Sequence, residues 1–196
     1  MTENSQPRVA GLLLAAGGSS RLGRPKQLVE WQGKTLIRRA AEALIEAGCS
    51  PVVVVLGAEV DGSSHAVEGL GVEIVFNEDW ESGMGSSVAV GMLSIMSVEP
   101  DAVLINLCDQ PHVTGTKLRI LLDTFADIRP PLIAAEYDGI TGVPALFSKA
   151  LFPQLLGLSG DKGARELIRN TPDAMTIALP EAAIDVDRKA DLDAFD

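Results

Sequence analysis

The sequence VAGLLLAAGGSSRLGRPK at residues 9–26 joins an apolar run directly to a loop of glycines, serines and cations. The run Val9–Leu14 is near-continuously apolar, which is typical of a strand covered on both faces of a sheet. Glycines let backbone N–H groups turn toward a bound anion, and Arg21, Arg24 and Lys26 concentrate positive charge beside them. This pattern predicts a strand followed by a phosphate-binding loop. The structural alternative is an ordinary glycine turn whose cations face solvent.

The same kind of apolar run recurs at Val52–Leu56, Glu73–Phe76, Ala102–Leu107 and Leu132–Ala135. Between these runs, apolar residues recur at helical spacing, in one stripe that stops at Gly48 and in another from Leu118 to Phe125. The alternation predicts an α/β fold, a single-domain open, mostly parallel sheet with helices on both faces. Ligands of such sheets bind at the carboxyl ends of the strands. We also expect a helix at residues 162–169, a last strand at 183–186 and a short polar helix from Arg188 onward.

Composition limits the class of protein and its partners. The chain has 196 residues, of which 46% are hydrophobic, and a formal net charge of -11. Length predicts one domain over residues 1–196, with the polar residues 1–7 as a disordered tail. The acidic balance opposes binding to nucleic acid or to an anionic membrane. Two cysteines, Cys49 and Cys108, are too few for a disulfide framework, so we expect a cytoplasmic protein.

Two better-known glycine loops do not match. The dinucleotide fingerprint G-x-G-x-x-G fails because Ser19 or Ser20 stands where the middle glycine is required. A Walker A loop has Lys followed by Ser or Thr where this chain has Arg24-Pro25. These mismatches argue against a dehydrogenase and a P-loop enzyme.

A carboxylate follows the run Ala102–Leu107, in the segment Cys108-Asp109-Gln110-Pro111. At the carboxyl end of a central strand, Asp109 would point into the ligand crevice, where a hard oxygen ligand suits Mg²⁺. The alternative is a turn or N-cap aspartate ahead of the helix near Thr114.

The segment from Leu14 through Gly23 to Lys26 resembles the signature of the MobA-like nucleotidyltransferases, and in detail their molybdenum cofactor cytidylyltransferase branch. The resemblance implies a Rossmann-like nucleotidyltransferase fold, with Arg21 and Lys26 on the phosphates as catalytic groups beside Asp109. It also implies that CTP is used, because the guanylyl-transferring relatives usually carry glycine at the position of Ala16. The nucleotide-binding residues that it implies in the loop are Leu14, Ala15, Ala16, Gly17, Gly18 and Ser19.

The resemblance extends to the acidic residues. The segment at Cys108–Pro111 is similar to the metal-binding motif of that family, which makes Asp109 a Mg²⁺ ligand. The segment 184–192 is similar to the family's closing Asp-Ile-Asp-Thr-Pro-Glu-Asp-Leu, which makes Asp187 the second ligand and Asp185 the reserve choice. Arg188-Lys189 departs from that pattern, and solvated acids at a helix start are the alternative.

Two further segments complete the resemblance. Residues 83–87, Gly-Met-Gly-Ser-Ser, resemble a motif that holds base and ribose, implying contacts from Gly83 and Ser87; by chemistry alone, Ser86 and Ser87 could cap the next helix. Segments at 142–147 and 160–165 resemble the family's acceptor side, although Gly160–Gly163 by itself is an ordinary turn. The acceptor-binding residues that they imply are Gly142, Pro144, Asp161 and Arg165.

The implied reaction is transfer of a cytidylyl group from CTP to the terminal phosphate of a molybdopterin-type cofactor. The implied partners are a phosphorylated pterin and a downstream molybdoenzyme or its chaperone. GTP as donor, or a sugar phosphate or small phospho-alcohol as acceptor, stays open, because the loop and metal handle only the nucleotide. A non-catalytic module that carries a nucleotide or cofactor to an oxidoreductase is the alternative from another class.

Overall fold

The computed structural model describes residues 6–19, 22–161, 163–187 and 191. Most of the predicted tail at residues 1–7, Arg21, and the predicted helix from Arg188 apart from residue 191 therefore lie outside the described residues. None of the helices in the described ranges combines the length and apolar composition needed to cross a bilayer.

The described residues alternate between strands and helices. The strands are β1 (Val9–Ala15), β2 (Glu30–Trp31), β3 (Lys34–Thr35), β4 (Val52–Leu56), β5 (Glu73–Phe76), β6 (Ala102–Leu107), β7 (Leu132–Tyr137), β8 (Ile140–Ser148) and β9 (Met175–Ala178). The α-helices are α1 (Leu36–Ala47), α2 (Val60–Ala66), α3 (Met84–Ile95), α4 (Gly115–Ile128), α5 (Phe152–Leu156) and α6 (Arg165–Asn170). All five strands predicted from apolar runs are present, and Gly48 ends α1 in the left-handed conformation with φ 95°.

Seven strands form one sheet in the order β5-β4-β1-β6-β8-β7-β9. Every pairing is parallel except those of β8, which runs antiparallel to β6 and β7. The chain builds outward from β1 to β4 and β5 and then returns to the other side of β1 with β6. This reversal opens a crevice beyond the carboxyl ends of β1 and β6. The predicted open, mostly parallel α/β sheet is confirmed.

Helices cover both faces of the sheet. On one face, α1 and α4 pack over Leu13, Val54 and Leu104, and α3 and α5 pack over Leu12, Val53 and Val103 on the other. Because neighbouring residues of a strand point to opposite faces, a strand covered on both is apolar throughout. This is why the apolar runs predicted the sheet.

Three local predictions differ from the structure. The last strand expected at 183–186 is absent, and a 3-10 helix occupies Pro180–Ala183 instead. Val186 packs with Leu22, Val29 and Leu36 in a separate apolar cluster, and its N–H donates to Asp109 O, so this segment has no sheet neighbour. The helix expected from residue 162 begins at Arg165. Ser86 and Ser87 lie inside the first turn of α3, whose N-cap is Gly83, so neither caps it.

Candidate functional site

The glycine-rich loop and Asp109 meet because their strands are neighbours. β1 and β6 pair in parallel with Leu14 opposite Leu107, so the chain leaves both strands at the same edge of the sheet. The helix that follows Asp109 has Thr114 as its N-cap residue, five positions further on. Asp109 is therefore not the N-cap of that helix; it stands in the turn that follows β6 and lines the cavities described below.

The loop is held from within by Ser19 and Gln27. Ser19 adopts a positive φ of 52°, and its Oγ accepts a hydrogen bond from the Lys26 backbone N–H at 2.9 Å. Gln27 is buried, and its Nε2 donates to Gly17 O at 3.3 Å and to Ala15 O at 3.5 Å. These bonds close the loop on itself. They place the Lys26 side chain beside the end of β6.

The Lys26 ammonium forms an ion pair with Asp109, with Nζ 2.5 Å from Oδ2. Both side chains are largely buried, at 21% and 13% exposure. Burial by itself lowers the pKa of Lys26, but the attraction of Asp109 and, more weakly, of Asp187 outweighs it and raises that pKa above its ordinary value. Lys26 therefore stays charged in a site that excludes much of the water.

Acidic residues from the end of the chain share this site. Burial raises the pKa of Asp185, and repulsion from Asp109, Asp187 and Asp191 raises it further. The second carboxylate oxygen of Asp109, Oδ1, is buried without a hydrogen-bond partner. A buried carboxylate oxygen without a donor fits a cation ligand. Among the described residues, no group of three or more His, Cys, Asp or Glu side chains is placed so that it could hold a metal ion.

A cavity of about 200 Å³, the loop cavity, opens beside the glycine-rich loop. Its lining includes Leu14, Ala15, Ala16, Gly17, Lys26, Gln27, Trp80, Ser87 and Asp109. Trp80 forms a wall that leaves no room for side chains, since a Cβ at Gly18 would lie 2.9 Å from the indole and one at Gly57 would lie 2.7 Å from it. The missing side chain at Gly18 therefore leaves the space that the Trp80 ring occupies.

Ser87 and Gly83, predicted together, have different surroundings. Ser87 lines the loop cavity, and its Oγ accepts a hydrogen bond from Asn77 Nδ2 at 2.9 Å, leaving its own proton to donate. Gly83 does not line the loop cavity, nor the second cavity of the site, which lies against the β7–β8 hairpin. It has φ 118°, and a Cβ there would lie 2.4 Å from the backbone of Gly160, so glycine serves the close packing of two loops.

A second cavity of about 320 Å³, the hairpin cavity, lies against the β7–β8 hairpin. The hairpin turns at Asp138-Gly139, both with positive φ, as a tight two-residue turn requires. Gly142, Asp161 and Arg165 line this cavity, as does Asp185. Pro144 does not; it follows a cis peptide bond from Val143, which does.

The two cavities share the lining residues Leu14, Met84, Leu107 and Asp109. Asp109 is therefore the acidic residue common to both, with Lys26 on the loop side and Asp185 on the hairpin side. Arg21 lies outside the described residues. Sequence reasoning did not select Gln27, Trp80, Gln110 or Tyr137, because no local pattern marks a residue that becomes a wall or a tether only after folding.

The fold and the site define an α/β protein with a glycine-rich loop and an acidic residue at the switch point of its sheet. The family model described as the MobA-like NTP transferase domain matches residues 11–175, and the chain belongs to this family. It is a nucleotidyltransferase of the MobA-like type.

The chain is similar to proteins that are named for different activities. It is 37% identical over 182 residues to the nicotine blue oxidoreductase of Paenarthrobacter nicotinovorans, covering 88% of this chain and 87% of that protein. It is 30% identical over 137 residues to a probable molybdenum cofactor guanylyltransferase of Bacillus mycoides (strain KBAB4), covering 69% and 62%.

Among solved structures, Rv0371c from Mycobacterium tuberculosis H37Rv superposes with a TM-score of 0.84 at 28% identity, covering 97% of this chain and 98% of that one. A second structure of that protein is a complex with manganese, with a TM-score of 0.79, 26% identity and coverage of 96% and 97%.

Proposed function

We propose that this protein transfers a cytidylyl group from CTP to the terminal phosphate of a molybdopterin-type cofactor and releases pyrophosphate. The observation that carries the proposal is the junction of the two cavities at Asp109, with the Lys26 ammonium 2.5 Å from its carboxylate. Two substrates bound in adjoining cavities would meet at this junction. The triphosphate would lie in the loop cavity and the acceptor in the hairpin cavity.

Each group of site residues would have its own role in this reaction. Leu14, Ala15, Ala16 and the Gly17–Ser19 backbone would hold the nucleotide, with Ser87 Oγ donating to the base. Arg21 and Lys26 would neutralise phosphate charge. Gly142, Asp161 and Arg165 would hold the acceptor, and Pro144 would act through the position of Val143.

The acidic residues fit a divalent cation. The buried, unpartnered Oδ1 of Asp109 and the nearby Asp187 offer oxygen ligands, and Mg²⁺ is usually bound through one or two carboxylates together with substrate phosphates. Asp109 and Asp187 would therefore hold Mg²⁺, with Asp185 as the reserve ligand. When bound, the ion would neutralise charge on the phosphates. The manganese complex of Rv0371c supports a divalent ion in this type of protein.

The reaction requires little covalent chemistry from the protein. An oxygen of the acceptor phosphate attacks the α-phosphorus of CTP in line, the bond from that phosphorus to the β-phosphate oxygen breaks, and pyrophosphate leaves. A phosphate nucleophile is already ionised at neutral pH, so no general base is needed. Alignment in the two cavities and the charge of Lys26 and Arg21 supply the rate enhancement.

CTP is proposed over GTP because of Ala16. This residue is buried in the wall of the small loop cavity, where a methyl group limits the space for a base. The name of the Bacillus relative favours GTP instead. Pyrophosphate release measured with each of the four nucleoside triphosphates, with and without molybdenum cofactor, decides the donor and the acceptor together.

A name also favours a different class of activity. The oxidoreductase name of the Paenarthrobacter relative argues for redox chemistry. Within the described residues, both cysteines are buried, and burial raises the pKa of each thiol to about 12, so they are poor redox nucleophiles. A parallel assay of dye reduction with a nicotinamide donor tests this alternative.

The catalytic assignment has its own test. Asp109→Asn keeps the shape and removes the charge, and we expect turnover to fall by about 10²-fold or more. Pyrophosphate release over many turnovers by the wild type would exclude a pure carrier module. Undiminished transfer by Asp109→Asn would contradict the assignment.

A further inference from the structure

Asn77 lies just after β5, at the same edge of the sheet as the glycine-rich loop, and it is only 3% exposed. Both ends of its side-chain amide are hydrogen-bonded within the protein. Nδ2 donates to Ser86 Oγ at 2.8 Å and to Ser87 Oγ at 2.9 Å. Oδ1 accepts a hydrogen bond from the backbone N–H of Asp79 at 3.1 Å. A buried amide with partners at both ends has a fixed position.

The backbone N–H of Asp79 decides which way the Asn77 amide faces. An N–H group can only donate, so the atom opposite it must be the carbonyl oxygen Oδ1. Turning the amide over would set two donors against each other. The main chain of Asn77 is held as well, because its N–H donates to Leu56 O at 2.8 Å. Nδ2 is therefore a fixed donor that faces the two serines.

The two serines use their own protons differently. Ser86 Oγ donates to Gly83 O at 2.8 Å, and it lies 3.2 Å from Asp79 O, so its proton is used in the turn before α3. Ser87 Oγ accepts from Asn77, and within the part of the chain that the structure describes no protein acceptor takes its proton. Ser87 also lines the loop cavity, whereas Ser86 does not. Ser87 is thus the serine with a proton to offer a ligand.

The donor character of Ser87 depends on Asn77. Because Nδ2 cannot accept a hydrogen bond, the Ser87 proton has no partner on that side and is left for the loop cavity. A carboxylate in place of the amide would accept that proton and leave only lone pairs of Ser87 for a ligand. Hydrogen bonds to a carboxylate are about twice as strong as those between neutral groups, so this reversal would be favoured.

Building on the proposed function, we infer that Asn77 is a positioning residue for the nucleotide, which fixes Ser87 Oγ as a hydrogen-bond donor to the base. The site then selects a base with an acceptor atom at this point and disfavours one that presents an N–H group there. Asn77 itself lines neither cavity, so it acts through Ser87.

The binding of two ligands to the full chain tests this assignment without any turnover. CTP contains the base, and inorganic tripolyphosphate offers three linked phosphates alone. Isothermal titration calorimetry with Mg²⁺ and without acceptor gives both dissociation constants, and their ratio isolates the contribution of the nucleoside. A change that merely distorts the glycine-rich loop, or adds charge near it, weakens the binding of both ligands and leaves the ratio unchanged.

Two substitutions and their combination separate reversal of the hydroxyl from its loss. Ser87→Ala removes the hydroxyl, so the affinity for CTP relative to tripolyphosphate should fall on the order of tenfold. Asn77→Asp keeps the side-chain shape but reverses the Ser87 proton, and the relative affinity should fall further because lone pairs then face an acceptor atom of the base. In the double variant the loss should return to that of Ser87→Ala, since no hydroxyl is left to reverse.

Ser86→Ala is the matched control, because it removes the other hydroxyl that Asn77 Nδ2 contacts and lines neither cavity. The ratio should stay at the wild-type value in this variant. In turnover assays, Asn77→Asp should raise the KM for CTP while kcat at saturating CTP stays within about twofold. A purely structural role of Asn77 would lower both affinities and kcat together.

Thermal unfolding shows whether each variant is folded. If Asn77→Asp does not fold, Asn77→Leu takes its place, because it removes the amide at similar volume and lets the Ser87 hydroxyl rotate. The ratio should then fall about threefold in an otherwise wild-type chain and not at all in a Ser87→Ala background.

A wild type that binds CTP no more tightly than tripolyphosphate overturns the inference without any variant. An unchanged ratio in the Asn77 variants overturns it as well, and so does a loss in the double variant that adds to that of Ser87→Ala. Calorimetry needs no nucleotidyl transfer, so a chain that shows the expected pattern but releases no pyrophosphate would defeat the proposed function alone.

Discussion

Lys26 Nζ and Asp109 Oδ2 lie 2.5 Å apart although 83 positions separate the two residues in the chain. The pair joins the end of the glycine-rich loop to the end of β6, and it occupies one oxygen of the carboxylate proposed to hold a metal ion. Lys26 and a cation therefore compete for Asp109 until a triphosphate offers Lys26 another anion. Metal binding and nucleotide binding should be coupled.

Lys26→Met tests this competition. Without nucleotide, the variant should bind Mn²⁺ on the order of tenfold more tightly than the wild type, because a charged competitor is removed. The signal of free Mn²⁺ in electron paramagnetic resonance gives the affinity. Lys34→Met is the matched control, since it removes the same charge from a lysine that pairs with Glu42. Equal Mn²⁺ affinity in all three proteins would contradict the competition.

Ala16→Gly tests the base preference. Removing the buried methyl group should lower the ratio of kcat/KM for CTP to that for GTP by roughly tenfold, the effect of one methyl group in an apolar pocket. Ala41→Gly is the control, because Ala41 is buried in the core and lines neither cavity. A ratio unchanged in Ala16→Gly would remove the structural support for CTP.

Gly85→Ala tests the contact between the first turn of α3 and the backbone at Ser159. A Cβ at Gly85 would lie 2.7 Å from the Ser159 backbone, so we expect a loss of about 1–3 kcal/mol in the free energy of unfolding despite the better helix propensity of alanine. Urea unfolding measures it. Gly17→Ala is the contrast, since nothing lies within 4 Å of its Cβ position: stability should hold while the KM for CTP rises.

The two cysteines should be unreactive in the folded protein. Burial raises the pKa of Cys49 and of Cys108 to about 12. A thiol is charged only above its pKa, so at pH 8 roughly one molecule in 10⁴ carries the thiolate. Ellman's reagent should modify neither thiol in the native protein and both in guanidinium chloride. Rapid modification at pH 8, assigned with Cys49→Ser and Cys108→Ser, would show that the interior opens.

Much of the fold could be predicted because its signals are local. The apolar runs of β1, β4 and β6 reflect burial on both faces, and Gly48 ends α1 because a left-handed residue without a Cβ is favoured there. The same logic placed Asp109 at the end of a central strand. The prediction of a last strand at Ala183–Val186 was wrong, because an apolar residue such as Val186 can also be buried against Leu22 and Leu36 outside the sheet.

The candidate site was predictable only in part. Loop residues and Asp109 carry recognisable patterns, but Gln27, Trp80 and Gln110 have roles set by contacts with distant segments. Gln110 reaches Ala182, 72 positions away, and no spacing rule connects them. Gly83, predicted to contact the base, also packs closely against Gly160, and the base contact stays a prediction.

By itself, the sequence determined most of the strands and helices of the sheet and the place of the glycine-rich loop after β1, because these depend on side chains a few positions apart. Tertiary structure alone decided that β8 lies between β6 and β7, that Lys26 faces Asp109, and that two cavities meet at one carboxylate. Those outcomes depend on which distant surfaces pack together, and that is set by the free energy of the whole chain.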